Sequence, residues 1–265
     1  IILTGGQVKE YRPESPLSTG ISMPENLRQE LHEALAQARG VLQDLDRLGL
    51  GALPMPPLAA DPPICPPNVR GLDRGGMAPC RSETLDEIRT DLGDCQRCPL
   101  AKRRHHIVFG VGAPRARLVL VGEGPGREED ERGEPFVGEA GRLLDRMLFA
   151  IGLERSEVYI CNVIKCRPPG NRDPEPGEVA ACRPFLERQL AAIAPEMILA
   201  LGRVSSQSLL ADNTPISRLR GQWRDYQGIP LLPTYHPAYL LRNPAAKQEA
   251  WEDLKQVLKR LRGAG

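Results

Sequence analysis

Apolar positions along this chain fall into two kinds of run. "RLVLVG" (117–122), "VYICNVIKC" (158–166), "EMILALG" (196–202) and "IPLLPTY" (229–235) are short, nearly unbroken apolar blocks. Blocks of this length, bounded by turn residues, mark strands buried on both faces. Between and after them, "AGRLLDRMLFAIGL" (140–153), "EVAACRPFLERQLAAIA" (178–194), "RVSSQSLLA" (203–211) and a stretch from Pro244 to Leu261 repeat apolar residues at three- and four-residue steps. That is the spacing of a helix with one buried face. Strand and helix in alternation predict an α/β fold: a three-layer αβα sandwich with a central four-stranded parallel sheet. Ligands of such sheets lie beyond the carboxyl ends of the strands, so chemistry is expected just after each block.

The first third of the chain reads differently. Residues 1–22 lack periodicity and read as disordered. In 24–50, Leu27, Leu31, Leu35, Ala38, Leu42 and Leu45 recur at helical steps behind Pro24, which suits a first helical turn. This amphipathic helix packs on its own domain or serves a protein partner. Residues 51–83 are rich in proline and glycine and form a linker holding Cys65 and Cys80, read as free thiols. The organisation expected is an extension (1–50), a linker (51–83) and a catalytic domain (84–265).

Composition changes this picture little. Apolar residues make up 41% and charged residues 26%, ordinary for a soluble globular protein. The net charge of +1 gives no global signature for nucleic acid, so any such surface is local. No apolar run approaches a transmembrane span. Seven cysteines, an odd number unevenly spread, fit a reducing compartment; the cytoplasm is expected, with no membrane partner and a monomeric state.

Four of those cysteines lie in the globular part as pairs. Cys95 and Cys98 form C-x2-C; Cys166 and Cys182 bracket "CRPPGNRDPEPGEVAAC". Four thiols with one tight pair suit an iron–sulfur cluster or a zinc ion, and prolines beside them favour the former; unligated thiols are the third reading. Cys161 sits within a strand and reads as a core residue. The segment would then hold Arg167, Asn171 and Arg172 on a rigid loop, where they suit a polyanion.

After the first strand comes "GEGPGREEDERGEPFVGEAG" (122–141). Gly124 and Gly126 allow close backbone approach to a ligand. No Lys-Ser/Thr follows and the spacing is not that of a dinucleotide loop, while Glu123, Glu128, Glu129 and Asp130 would repel phosphate. A neutral planar ligand fits better, with Phe136 placed to stack on it. Asn162 can both donate and accept, as reading an imide edge requires. His236 follows the fourth strand and precedes a proline.

"GEGPGREEDERGEPFVGEAGRLLDRML", "VYICNVIKCRPPGNRDP", "CRPFLERQL" and "HPAYLLRN", in this order over about residues 84–262, resemble the iron–sulfur-containing family 4 uracil-DNA glycosylases of bacteria and archaea. The resemblance implies Cys95, Cys98, Cys166 and Cys182 as ligands of a structural [4Fe–4S] cluster. It implies Glu123, Gly124 and Pro125 lining the uracil, Phe136 stacking, Asn162 reading the imide edge and His236 facing O2. Uracil-containing DNA is then the partner, with the base flipped out of the stack. Glu123, or Glu129 as second candidate, directs water or steadies the sugar cation. Leu240 offers an apolar wedge and Arg242 a phosphate contact, with Arg167 and Arg172 on the neighbouring loop. Gly124 stands where the best-known uracil glycosylases carry aspartate. Relatives that trap uracil covalently carry an inserted histidine loop; "RPPGNRDPEPGE" has neither insertion nor histidine, so turnover is expected. A glycosylase of other deaminated bases, or a cluster-bearing module recruiting a repair partner through 24–50, are the alternatives.

Overall fold

The structure, a computed structural model, describes Gln29 and residues 83–263. The expected helix 24–50, apart from Gln29, and residues 51–82 of the expected linker 51–83 lie outside the described residues. Residues 83–263 belong to one compact unit, Asp61–Gly265.

In chain order this unit carries α1 (Leu85–Leu92), β1 (Val111–Gly112), β2 (Leu118–Gly122), α2 (Arg127–Arg132), α3 (Glu139–Ala150) and β3 (Tyr159–Asn162). It continues with α4 (Pro176–Ile193), β4 (Met197–Leu201), α5 (Arg203–Leu210), α6 (Ile216–Leu219), β5 (Arg224–Tyr226), β6 (Ile229–Thr234), α7 (Pro237–Arg242) and α8 (Lys247–Gly263). Six strands form one sheet in the order β1-β3-β2-β4-β6-β5. The four central strands are parallel, as expected from the apolar blocks. The two edges are antiparallel additions that the four-stranded expectation lacks. Both are too short to show a two-residue period, and β5 exposes Arg224 and Asp225.

Successive residues of each central strand face opposite sides. Val119, Val121, Cys161, Ile198, Ala200 and Leu231 point toward α4 and α5, meeting Leu186, Leu190 and Leu209. Leu118, Leu120, Ile160, Leu199 and Leu232 point the other way, onto Leu144 and Leu148 of α3, Leu240 of α7 and Leu254 and Val257 of α8. Two-sided burial is why these strands read as continuous apolar runs. A smaller cluster of Ile88, Leu92, Phe109 and Phe185 ties α1 to α4. A capping box starts α1: Glu87 N–H donates to Thr84 Oγ1 at 3.3 Å, and Thr84 N–H to Glu87 Oε2 at 2.8 Å.

The chain leaves β2 to form β3 on one side and returns to form β4 on the other. That reversal opens a crevice at the carboxyl end of β2. The second apolar block ends its pairing as a strand at Asn162, four residues before Cys166. Beyond it, Val163 and Ile164 N–H groups donate to the Gly122 and Glu123 carbonyls at 3.0 and 3.1 Å, so this segment binds the loop after β2.

Candidate active site

A cavity of about 370 Å³ opens at that crevice. Three strand ends supply its core. Gly122 ends β2 and leads into Glu123, Gly124 and Pro125; Asn162 ends β3 opposite Gly122; His236 follows β6 and caps α7. Gly122 has to lack a side chain, because a Cβ there would stand 2.6 Å from Phe136 Cζ and collide with the Asn162 amide. Gly202, just after β4 with φ +93°, has a related constraint: a Cβ would stand 2.8 Å from that of His236.

Phe136 lies on the cavity wall with its ring against that of His236, centroids 5.5 Å apart and planes inclined by 29°. Its φ of +54° is in the left-handed region, which costs a residue with a side chain about 1–2 kcal/mol. Neighbouring groups hold it there. Arg155 donates to the carbonyls of Pro135 and Phe136 at 2.6 and 3.1 Å. Glu129 Oε1 accepts from the N–H groups of Val137 and Gly138 at 2.9 and 3.0 Å.

Asn162 is 1% exposed, and its Oδ1 has no hydrogen-bond partner. Its backbone carbonyl accepts from the fully buried Lys165 amine at 2.8 Å. His236 Nδ1 accepts the Ala238 N–H at 3.1 Å, so in the neutral ring the proton belongs on Nε2. Burial first, then the Arg242 charge, lowers the His236 pKa to about 4, against a smaller opposite pull from Glu129. The imidazole is therefore a neutral donor near pH 7. Glu123 moves the other way: burial raises its pKa to about 7, Asp173 adds to the rise and Arg203 opposes it.

The remaining expected residues are distributed unevenly. Arg242 lines the cavity and is exposed at the end of α7. Arg172 also lines it, but its guanidinium donates to both oxygens of buried Glu178, at 2.9 and 2.7 Å, and pairs with Glu175. Its charge is thus shared with two carboxylates of its own loop while the side chain stays at the cavity. Arg167 lies outside the cavity lining, its Nε donating to Asn171 at 2.7 Å. The expectation for Leu240 is corrected. It is 1% exposed within the core between α3 and α8, and cannot enter a base stack without unpacking that core.

Cys95, Cys98, Cys161, Cys166 and Cys182 are free thiols. Cys166 and Cys182 are buried beside half-buried Cys98. Burial raises Cys166 to about 12, opposed chiefly by Arg104, and also raises Cys182. Arg97 and Arg104 donate to the sulfurs of Cys95 and Cys166 at 3.4 and 3.7 Å. Among the described residues no three His, Cys, Asp or Glu side chains could hold a single metal ion together.

One constellation escapes a reading by motif. Buried Asp130 of α2 accepts from the His105 N–H at 2.9 Å and faces its Nδ1 at 2.7 Å; His106 Nδ1 meets the Asp130 carbonyl at 2.9 Å. Only the pairing of "HH" with an acid in the "REEDER" helix could have pointed to it. Arg155 carried no signal at all.

A parallel-stranded sandwich whose carboxyl edge gathers a carboxylate, an unpartnered buried amide and a neutral histidine around one cavity defines a class of base-binding hydrolases. The Uracil DNA glycosylase superfamily matches residues 109–255, which carry all of these groups. Within it, the chain is 45% identical over 183 residues to the Type-4 uracil-DNA glycosylase of Archaeoglobus fulgidus, covering 66% of this chain and 92% of that protein. It is 46% identical over 166 residues to the Type-4 enzyme of Thermotoga maritima, covering 62% and 86%. The chain belongs to the type-4 uracil-DNA glycosylases. Among the described residues no helix is long and apolar enough to cross a membrane.

Proposed function

We propose that this protein excises uracil from DNA, hydrolysing the C1′–N1 bond and leaving an abasic site. The observation that carries this reading is the Asn162 amide, 1% exposed with an unpartnered Oδ1. A buried acceptor without a partner costs about 1–3 kcal/mol, which a ligand N–H would recover. Uracil offers N3–H beside a carbonyl, and one amide satisfies both. Cytosine presents the reverse order of donor and acceptor and leaves Oδ1 unpaired.

Bond cleavage moves negative charge onto the departing uracil, chiefly at O2, and positive charge onto the sugar. The neutral His236, with its proton on Nε2, donates to O2 without giving up that proton. Backbone N–H groups of the 122–126 loop add to the stabilisation. Glu123, once ionised, steadies the sugar cation and orients the attacking water. Glu129, whose Oε1 is engaged by two backbone N–H groups, braces the loop. Phe136 supplies the face on which the base rests, and Arg242, exposed at the rim, suits a backbone phosphate.

Cys95, Cys98, Cys166 and Cys182 are the residues that would hold a [4Fe–4S] cluster. Their surroundings fit it: arginines aimed at sulfur stabilise thiolates, and a buried thiol releases its proton to solvent readily only when its sulfur binds a cation. When bound, the cluster cross-links the 95–98 turn to the segment 166–182. A cytoplasmic location belongs to the same proposal.

The test is incubation with a labelled oligonucleotide carrying one uracil, followed by alkaline cleavage. A cut at that position, absent from a thymine control, is expected. A folded, coloured preparation that leaves the uracil in place overturns the reading.

A further inference from the structure

With Leu240 locked in the core, some other group has to fill the gap left by a flipped base. We propose that Tyr239 is that group, and that it makes excision from duplex DNA depend on an aromatic ring at the cavity rim. The inference rests on the reading of the protein as a uracil-DNA glycosylase.

The phase of α7 selects Tyr239. Pro237 and Leu240 are buried, Ala238 is half-buried, and Leu241 packs partly against the same core as Leu240. Tyr239 is 38% exposed and lines the cavity, as does Arg242 one turn on. Residues three apart share a helix face. One face of α7 thus presents an aromatic ring and a cation side by side, next to the cavity that takes the base.

The ring is also braced from behind. Tyr235 stacks on it with centroids 4.9 Å apart and an inclination of 29°. Tyr235 in turn donates through its hydroxyl to Glu249 at 3.0 Å, under the Arg220 guanidinium at 5.6 Å. At its start, α7 is fixed by His236, whose carbonyl accepts the Tyr239 N–H at 2.8 Å. Tyr239 and the leaving-group donor are therefore parts of one rigid turn. An exposed aromatic normally carries a hydration cost, and a base on its free face removes it. In duplex DNA the ring takes the flipped base's place against its neighbours; in a single strand there is no continuous stack to repair.

The readout is the ratio of kcat/KM on duplex to that on single-stranded uracil DNA. Tyr239→Ala lowers this ratio by about 10- to 100-fold, the range expected for one lost base–aromatic stack. Tyr239→Phe and Tyr239→Trp restore it, and thermal melting checks that each variant is folded. A ratio unchanged in folded Tyr239→Ala, or one that Phe fails to restore, overturns the proposal while leaving the glycosylase reading intact. Failure of the unmutated protein to cut either substrate instead removes the glycosylase reading on which the proposal stands.

Discussion

Glu123 and His236 share one cavity, and burial acts on them with opposite sign. Between the ordinary His pKa of 6.5 and about 4, the unfolded chain binds a proton at position 236 that the native state does not. Stability from this group is present above pH 6.5 and lost as pH falls. Between 4.5 and about 7 the native state keeps a proton on Glu123 that the unfolded chain has released. Stability from Glu123 is therefore full below pH 4.5 and lost as pH rises through 7. From pH 4.5 to 6.5 the two oppose each other. Urea melts across that window should show stability climbing more steeply with pH in Glu123→Gln than in the parent, and less steeply in His236→Gln. Activity follows the same carboxylate. Excision is expected to rise tenfold per pH unit below 7 and to level above it, with Glu123→Gln slower and flat over that range. Removing the His236 donor with alanine should cost about 10²–10³ in kcat in single-turnover assays.

The loop between α2 and α3 is held as a unit by Glu129. Its carboxylate accepts two backbone N–H bonds, which an amide oxygen can also accept, though more weakly. Glu129→Gln should therefore stay within about threefold of the parent. Glu129→Ala frees Phe136 from one of its two clamps and should lose more than tenfold, with a Tm lower by several degrees. A Gln variant as impaired as Ala would make Glu129 a participant in the chemistry. At this scale sequence and structure part company in particular places. The buried strands and long helices declared themselves because two-sided burial and helical spacing leave marks along four or more residues. β1 has two residues and β5 three, which is too few for any period. Glu123 and His236 stand out in the sequence because they follow apolar blocks, and Asn162 because it is an amide late in one. Leu240 was misread because "AYLL" shows that a helix carries apolar residues but not which of them faces inward. Asp130 and Arg155 act through the backbone of distant segments, and linear spacing does not record that.

Across the whole catalytic unit, the cysteine region and the cavity are mechanically joined. Arg104 donates to the Cys95 carbonyl at 2.8 Å and to Cys166, and pairs with Asp94. The next residue, His105, is bound to Asp130 of α2, whose neighbour Glu129 holds the cavity loop. Loosening the cysteines should thus reach the base site. Cys166→Ala is expected to yield protein with reduced iron content, a lower Tm and a raised KM for uracil DNA; iron analysis, melting and steady-state kinetics check the three together. A full iron content in that variant would remove Cys166 from the ligand set. The order of the strands has a further consequence. Glu123, Phe136 and Asn162 emerge from the ribosome well before β6 brings His236 into line. A nascent chain stalled ahead of residue 229 lacks β6, the partner of β4, and with it the core residues Leu232, Leu240 and Leu254 that pack with Phe136. The cavity and its His236 donor are therefore completed together, by the last strand of the sheet in chain order.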